Sequence, residues 1–309
     1  MTSAPRYRPY DTATRPFSIG LTALDPGEWI EPDAELADFL EEKDRLRQAH
    51  LGEIFYAEES SLAAQQECLE ILTAHLLDRH GEIYSRDGDV IRFAGRGVDL
   101  SDPSTPPLLK AGSLVQDDLV ILERRETGWH LVAGYVAFPS AWSLPEKAGL
   151  PMEGVHAHVP GFEGGTRNAT MINRIFDNLQ PDLPAVRMNW SIYPSGELFW
   201  PPEAGARADR AGFTAPSNFI RVERQTLRRL PRTGGIVFTI HIYNDALARL
   251  KALDDGGQTA RALADKLLEF SPEQLAYKGM TTKRDALIDY LRDGLQSRPA
   301  VMETTAGTT

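Results

Sequence analysis

Five β-rich runs crowded into residues 114–243 constrain this chain more than any other feature. Leu119–Leu122 and Trp129–Phe138 flank a Glu126-Thr127-Gly128 turn; Val186–Tyr193, Phe219–Arg229 and Ile236–Tyr243 follow. Outside that window the pattern is helical. Residues 33–49 place apolar side chains at 3–4 spacing, as does 60–79, where Leu62, Leu69, Leu72 and Leu76 share a face and Ser60 and Ser61 can cap. The spacing also predicts helices over 168–179, capped by Asn168, and over 245–254, 257–269 and 282–293. Asp87-Gly88 reads as a hairpin turn. Residues 1–32, with five prolines, read as an extended arm; 201–216 as a loop or lid; and the tail from Arg298 as frayed. The reading is one α+β domain over 1–309: arm and helices over 1–113, a sheet core over about 114–243, and helices over 244–297.

Charge and cysteine content remove several functions. A net charge of −11 argues against a broad nucleic-acid footprint. Cys68 is the single cysteine, so no intrachain disulfide, Cys-rich zinc site or protein-ligated iron–sulfur cluster can form within this chain. The longest apolar stretches, such as Leu131–Phe138, fall far short of the ~20 residues of a membrane span, and no export signal is visible; the expectation is a cytoplasmic protein. Dinucleotide and phosphate loops, a zinc-protease helix and a nucleophile elbow are all missing.

Two segments carry candidate chemistry. In Val155-His156-Ala157-His158-Val159-Pro160-Gly161 the two imidazoles share a side if the backbone is extended, which suits a metal. A cupin-like site would add Glu163, but Pro160 and Gly161 interrupt the strand it needs. The alternatives are a packed histidine, a haem ligand and a non-haem metal ligand. In Phe219–Arg229, alternation puts Arg221, Glu223 and Gln225 on one face and Arg224, Thr226 and Arg228 on the other. A buried arginine there would fix an anion, a propionate or a polarised oxygen, and a buried glutamate would accept an ammonium; a solvated edge strand is the plain alternative. Trp190 and Tyr193 face oppositely, so at most one lines a cavity with Asn189 or Ser191. His241, between Ile240 and Ile242, either packs in the core or faces a pocket.

Taken in order, Gln116-Asp117-Asp118-Leu119, Phe138-Pro139-Ser140-Ala141-Trp142, the His156 block, Arg187-x-Asn189-Trp190 and Glu223-Arg224-Gln225-Thr226-Leu227-Arg228-Arg229-Leu230-Pro231 resemble the haem-dependent oxidative N-demethylase α-subunit family, over roughly residues 15–290. The resemblance implies a PAS-like antiparallel sheet cupping haem b, with added N- and C-terminal helices. It implies NADPH-dependent oxidative demethylation of a small secondary amine such as dimethylamine with dioxygen. Flavin mononucleotide, a [2Fe–2S] cluster and tetrahydrofolate would sit on partner subunits. Carried over by position, His156 is the expected axial ligand, with His158 as alternative because it replaces a family proline. Glu223 and Arg224 are expected in one distal or propionate network, and Arg228 and Trp190 beside the cofactor. His241 stands where relatives tend to carry a basic residue. A haem-binding sensor without turnover, and a non-haem metal enzyme using His156 and His158, are the competing readings.

Overall fold

The computed structural model describes residues 4–204 and 212–293; part of the expected 201–216 loop and the tail from Arg298 lie outside them. Its centre is a seven-stranded antiparallel sheet. In chain order the strands are β1 (Thr22–Ala23), β2 (Phe55–Ala57), β6 (Asp118–Arg125), β7 (Gly128–Tyr135), β8 (Ala185–Tyr193), β9 (Phe219–Arg229) and β10 (Ile236–Ala246). Their spatial order is β1-β8-β9-β10-β6-β7-β2. The five runs read from the sequence are therefore the five long inner strands. The strand after Gly128 stops at Tyr135, and the last strand continues to Ala246. A separate small sheet, β3 (Ser85–Asp87), β4 (Val90–Phe93) and β5 (Arg96–Asp99), contains the expected hairpin plus one unpredicted strand.

Helices α1 (Leu36–Ile54), α2 (Leu62–Arg79) and α3 (Pro107–Gly112) pack with Leu119, Ile121 and Val237 of the sheet. The Ser60/Ser61 cap is not made: a 3-10 turn over Glu59–Ser61 leads into α2, and the Ser61 hydroxyl donates to the Glu58 carbonyl instead. The long connection from β7 to β8 carries α4 (Leu144–Lys147), α5 (Met152–Val155) and α6 (Arg167–Asn178). Met152, Phe162, Ile172 and Phe176 from it bury Val120, Leu122, Leu227 and Ile236. Thr166, not Asn168, caps α6: its hydroxyl accepts from the Ala169 amide, whereas Asn168 donates to the Gly161 carbonyl. After β10 come α7 (Leu247–Lys251), α8 (Gln258–Leu268), α9 (Pro272–Tyr277) and α10 (Arg284–Arg292), which form a third apolar cluster with Trp190, Ile192 and Val222. No helix among the described residues is long and apolar enough to cross a membrane.

The arm crosses the sheet edge. β1 pairs with β8 through Thr22–Val186 and Ala23–Ala185, leaving the β8 edge beyond Val186 without a strand neighbour. Side chains take over there. Arg187 Nε donates to the Ile19 carbonyl at 2.8 Å, and Arg187 also donates to the Ser18 carbonyl at 3.3 Å.

Candidate functional site

Antiparallel register decides which side chains meet. Arg187, Asn189 and Ser191 of β8 lie opposite Gln225, Glu223 and Arg221 of β9, so these six share one face. Met188 and Trp190 lie opposite Arg224 and Val222 on the other face, and Arg224 lies opposite His241. The expectation of one network holding both Glu223 and Arg224 is thus corrected: neighbours in one strand point to opposite sides of the pleat.

The first face carries a connected polar cluster. Glu223 Oε2 accepts from Asn189 Nδ2 at 3.1 Å and from Gln225 Nε2 at 2.7 Å. Burial pushes the Glu223 carboxyl up, but hydrogen bonds from Ser140 and Asn189 and the charges of Arg221 and Lys278 outweigh it, leaving the group below the usual carboxylate range. Arg221 is buried yet fully engaged: it donates to the Ser140 hydroxyl at 3.0 Å, to the Phe138 carbonyl at 2.6 Å and to the Leu198 carbonyl at 3.0 Å. It therefore ties the β7 exit and the segment after β8 to the same strand as Glu223. Lys278, just past α9, donates to Asn189 Oδ1 at 3.2 Å, the Trp190 carbonyl at 2.8 Å and the Ser191 hydroxyl at 2.8 Å. Sequence reasoning missed Lys278. It also missed α9, although Ser271 and Gln274 form a capping box that marks its start.

His156 approaches this face from the β7–β8 connection. It is not in an extended segment, so the premise for a shared His156/His158 side fails. His156 closes the turn after α5, and Gly161, at φ 81°, takes the left-handed conformation that the reversal needs. His156 Nδ1 bonds the Met152 carbonyl at 3.0 Å. Because a carbonyl only accepts, Nδ1 carries the proton and Nε2 keeps its lone pair, with no hydrogen bond among the described residues. Burial, then the charges of Arg187 and Lys147, pull the imidazole down to about 4 despite the opposing Met152 carbonyl, so it is neutral at physiological pH. His158 is exposed. Among the described residues no three His, Cys, Asp or Glu side chains gather as a metal-holding group.

The remaining expected site residues lie on the second face. Arg224, 2% exposed, donates to the Trp29 carbonyl at 3.1 Å and to the Glu28 carbonyl, and its Nε lies 3.4 Å from Glu31. The Arg228 guanidinium lies 4.5 Å from the centre of the Trp29 ring. Trp190 meets Phe270 edge-on at 5.4 Å and Tyr10 at 6.1 Å. None of the three shares the face of Glu223.

His241 is fully buried here, 3.2 Å from Asp117 and 3.7 Å from Asp33. Burial alone would lower it, but the two carboxylates raise it to about 9, so this position carries positive charge at neutral pH. A folded-state pKa above the ordinary 6.5 means the stabilisation is complete below that pH and is lost as pH rises through 9. The loss amounts to about 3 kcal/mol. Urea denaturation should show the stability gap between wild type and His241→Gln shrinking from pH 6 to pH 10; a constant gap would contradict the charge assignment.

A seam and a groove border the first face. Met152, Glu153, Phe162, Ala169 and Ile172 close around His156 and leave only a seam too tight to admit a water molecule. A groove of about 200 Å³, open to solvent, runs between the arm and β8, with Arg187 and Asn189 in its wall. The donor set fits a tetrapyrrole held by an imidazole: a half-buried, neutral His156 ring with one free nitrogen, apolar neighbours, and the Arg187 guanidinium within electrostatic reach of that ring. A cofactor pocket spans about 300–1,000 Å³ and no such space is open beside His156, so seating the group requires the packing of α5 and α6 around it to part.

The sequence model of the family described as haem-dependent oxidative N-demethylase, alpha subunit-like, matches residues 20–288. That span begins within the arm, ends within α10 and includes both sides of the candidate site. This chain belongs to the haem-dependent oxidative N-demethylase, alpha subunit-like family.

Proposed function

We propose that the chain binds haem b through His156 and oxidatively demethylates a small secondary amine of the dimethylamine type, with Glu223 as the acceptor for the substrate ammonium. The observation that carries this reading is the His156 ring, neutral, half-buried and pinned through Nδ1–H so that the Nε2 lone pair is free to bind iron. When bound, the haem supplies the oxidation chemistry with dioxygen. The protein's own groups do the rest. Met152 fixes the imidazole tautomer, burial and the Arg187 charge keep that imidazole unprotonated, and Glu223 holds a cation by a charge-assisted hydrogen bond.

Electrons from NADPH arrive, in this proposal, through flavin mononucleotide and a [2Fe–2S] cluster on partner subunits, and a tetrahydrofolate-binding partner takes up the one-carbon product. The single, buried Cys68 supports that division, because a cluster needs thiolates from another chain. The core is read as PAS-like. Its five long antiparallel strands keep the first, β6, beside the last, β10, and a helix-bearing connection between the second and third covers one face. Arg224 and Arg228 act in this reading by retaining the arm, not at the reacting atoms.

A visible absorption spectrum of protein expressed with haem supply tests the proposal. An intense Soret band that shifts on dithionite addition is expected, as is formaldehyde release from dimethylamine once reductase partners are added. A colourless protein that takes up no haem overturns the reading; a haem protein that never turns over amines overturns its catalytic half.

A further inference from the structure

The Glu223 carboxylate has an unusual support. Two amides converge on its Oε2, from Asn189 at 3.1 Å and Gln225 at 2.7 Å. Each amide is held at its oxygen end by a cation: Lys278 Nζ lies 3.2 Å from Asn189 Oδ1, and an Arg187 terminal nitrogen lies 2.8 Å from Gln225 Oε1. Lysine and arginine only donate, so each amide must turn its oxygen to the cation and its NH₂ to the carboxylate. The orientation of both amides is thereby fixed without ambiguity. No cation forms a salt bridge with Glu223 within 4.0 Å among the described residues.

We propose that Lys278 and Arg187 are positioning residues which, acting through Asn189 and Gln225, hold the Glu223 carboxylate in place to accept an amine cation alongside the Ser140 hydroxyl. This rests on the reading of Glu223 as the ammonium acceptor. The physical logic is one of spacing. A lysine in direct contact would itself occupy the carboxylate as an ammonium and compete with the substrate. One amide between them transmits hydrogen-bond polarisation, keeps the cation out of the acceptor position, and preserves the negative charge. Other groups feel the same carboxylate: Arg221 on β9, Tyr193 on β8 and Tyr277 on α9. Arg221 is already committed to Ser140 and to backbone carbonyls, and the two phenols are pushed up, chiefly by burial, so they remain neutral donors.

Calorimetric titration of the haem-loaded protein with dimethylammonium chloride, across pH 4–9, tests this. Binding by wild type should fail on the acid side as Glu223 takes up a proton. Lys278→Met and Gln225→Leu should each move that acid midpoint upward by about one pH unit, and Lys278→Arg should restore it. A purely structural role for Lys278 would alter stability without moving the midpoint. If Lys278→Met does not fold by circular dichroism, Gln225→Leu, which changes no charge, reads the same shift. Midpoints equal to wild type in the folded variants overturn the proposal while leaving Glu223 as acceptor. Unchanged dimethylammonium binding by Glu223→Gln removes the underlying reading instead.

Discussion

His156→Ala protein is expected to lose its haem, with affinity falling about 100-fold or more, while His158→Ala retains the group at wild-type occupancy. The asymmetry follows from geometry. The His156 imidazole is packed near Phe162, its tautomer set by Met152, whereas the His158 side chain is exposed. The Soret-to-protein absorbance ratio after gel filtration measures the effect, and free imidazole added to His156→Ala should recover part of it. Removing this ring deletes one hydrogen bond to a backbone carbonyl and leaves the β7–β8 connection otherwise anchored, so the apoprotein should remain folded. Equal retention in the two variants would overturn the choice of ligand.

The second large effect concerns stability. Arg224→Met should lower the free energy of unfolding by about 3–5 kcal/mol, as expected when one partner of a buried charged network is removed. The Glu28 and Trp29 carbonyls lose their donor, and Glu31 loses one of its cations, keeping Arg6 at 3.3 Å and the Tyr243 hydroxyl at 2.9 Å. Arg228→Met, which gives up mainly a cation–π contact with Trp29, should cost only about 1 kcal/mol. Urea denaturation separates the two, and limited proteolysis should show early cleavage within the arm of Arg224→Met. Molecules of Arg224→Met that stay folded should still hold haem, since the residue lies across the sheet from Glu223. Wild-type stability in Arg224→Met would remove its role as the arm's anchor.

Much of the fold could be read from periodicity, and its departures have local causes. The inner strands are long and carry aliphatic and aromatic residues without helical spacing, so they declare themselves. β5 (Arg96–Asp99) and α9 are short, four and six residues, so each offers too few positions for a periodic pattern to show, although β5 follows β4 across the local Ala94-Gly95 turn. Thr166 and Asn168 are both competent caps, and only the backbone entering α6 decides between them. The site was partly legible. Alternation along β9 already separated Glu223 from Arg224, and the strand register bears that separation out. Lys278 could not be found that way, because it meets Asn189 from 89 residues away in the chain. The Gln116-Asp117-Asp118 block shows the same limit. Gln116 serves Asp33, Asp117 charges His241, and Asp118 accepts from the Ala137 and Phe138 amides, three separate tasks for three consecutive residues.

The arm that crosses the edge of β8 also sets a schedule for biogenesis. Glu28 must wait for Arg224, 196 residues later in synthesis, before its carbonyl is satisfied. Contacts of such long range close late, because the loop entropy they cost is offset only once the sheet exists. During translation this segment therefore leaves the ribosome early and docks among the last, open to chaperones and proteases until β9 has been made.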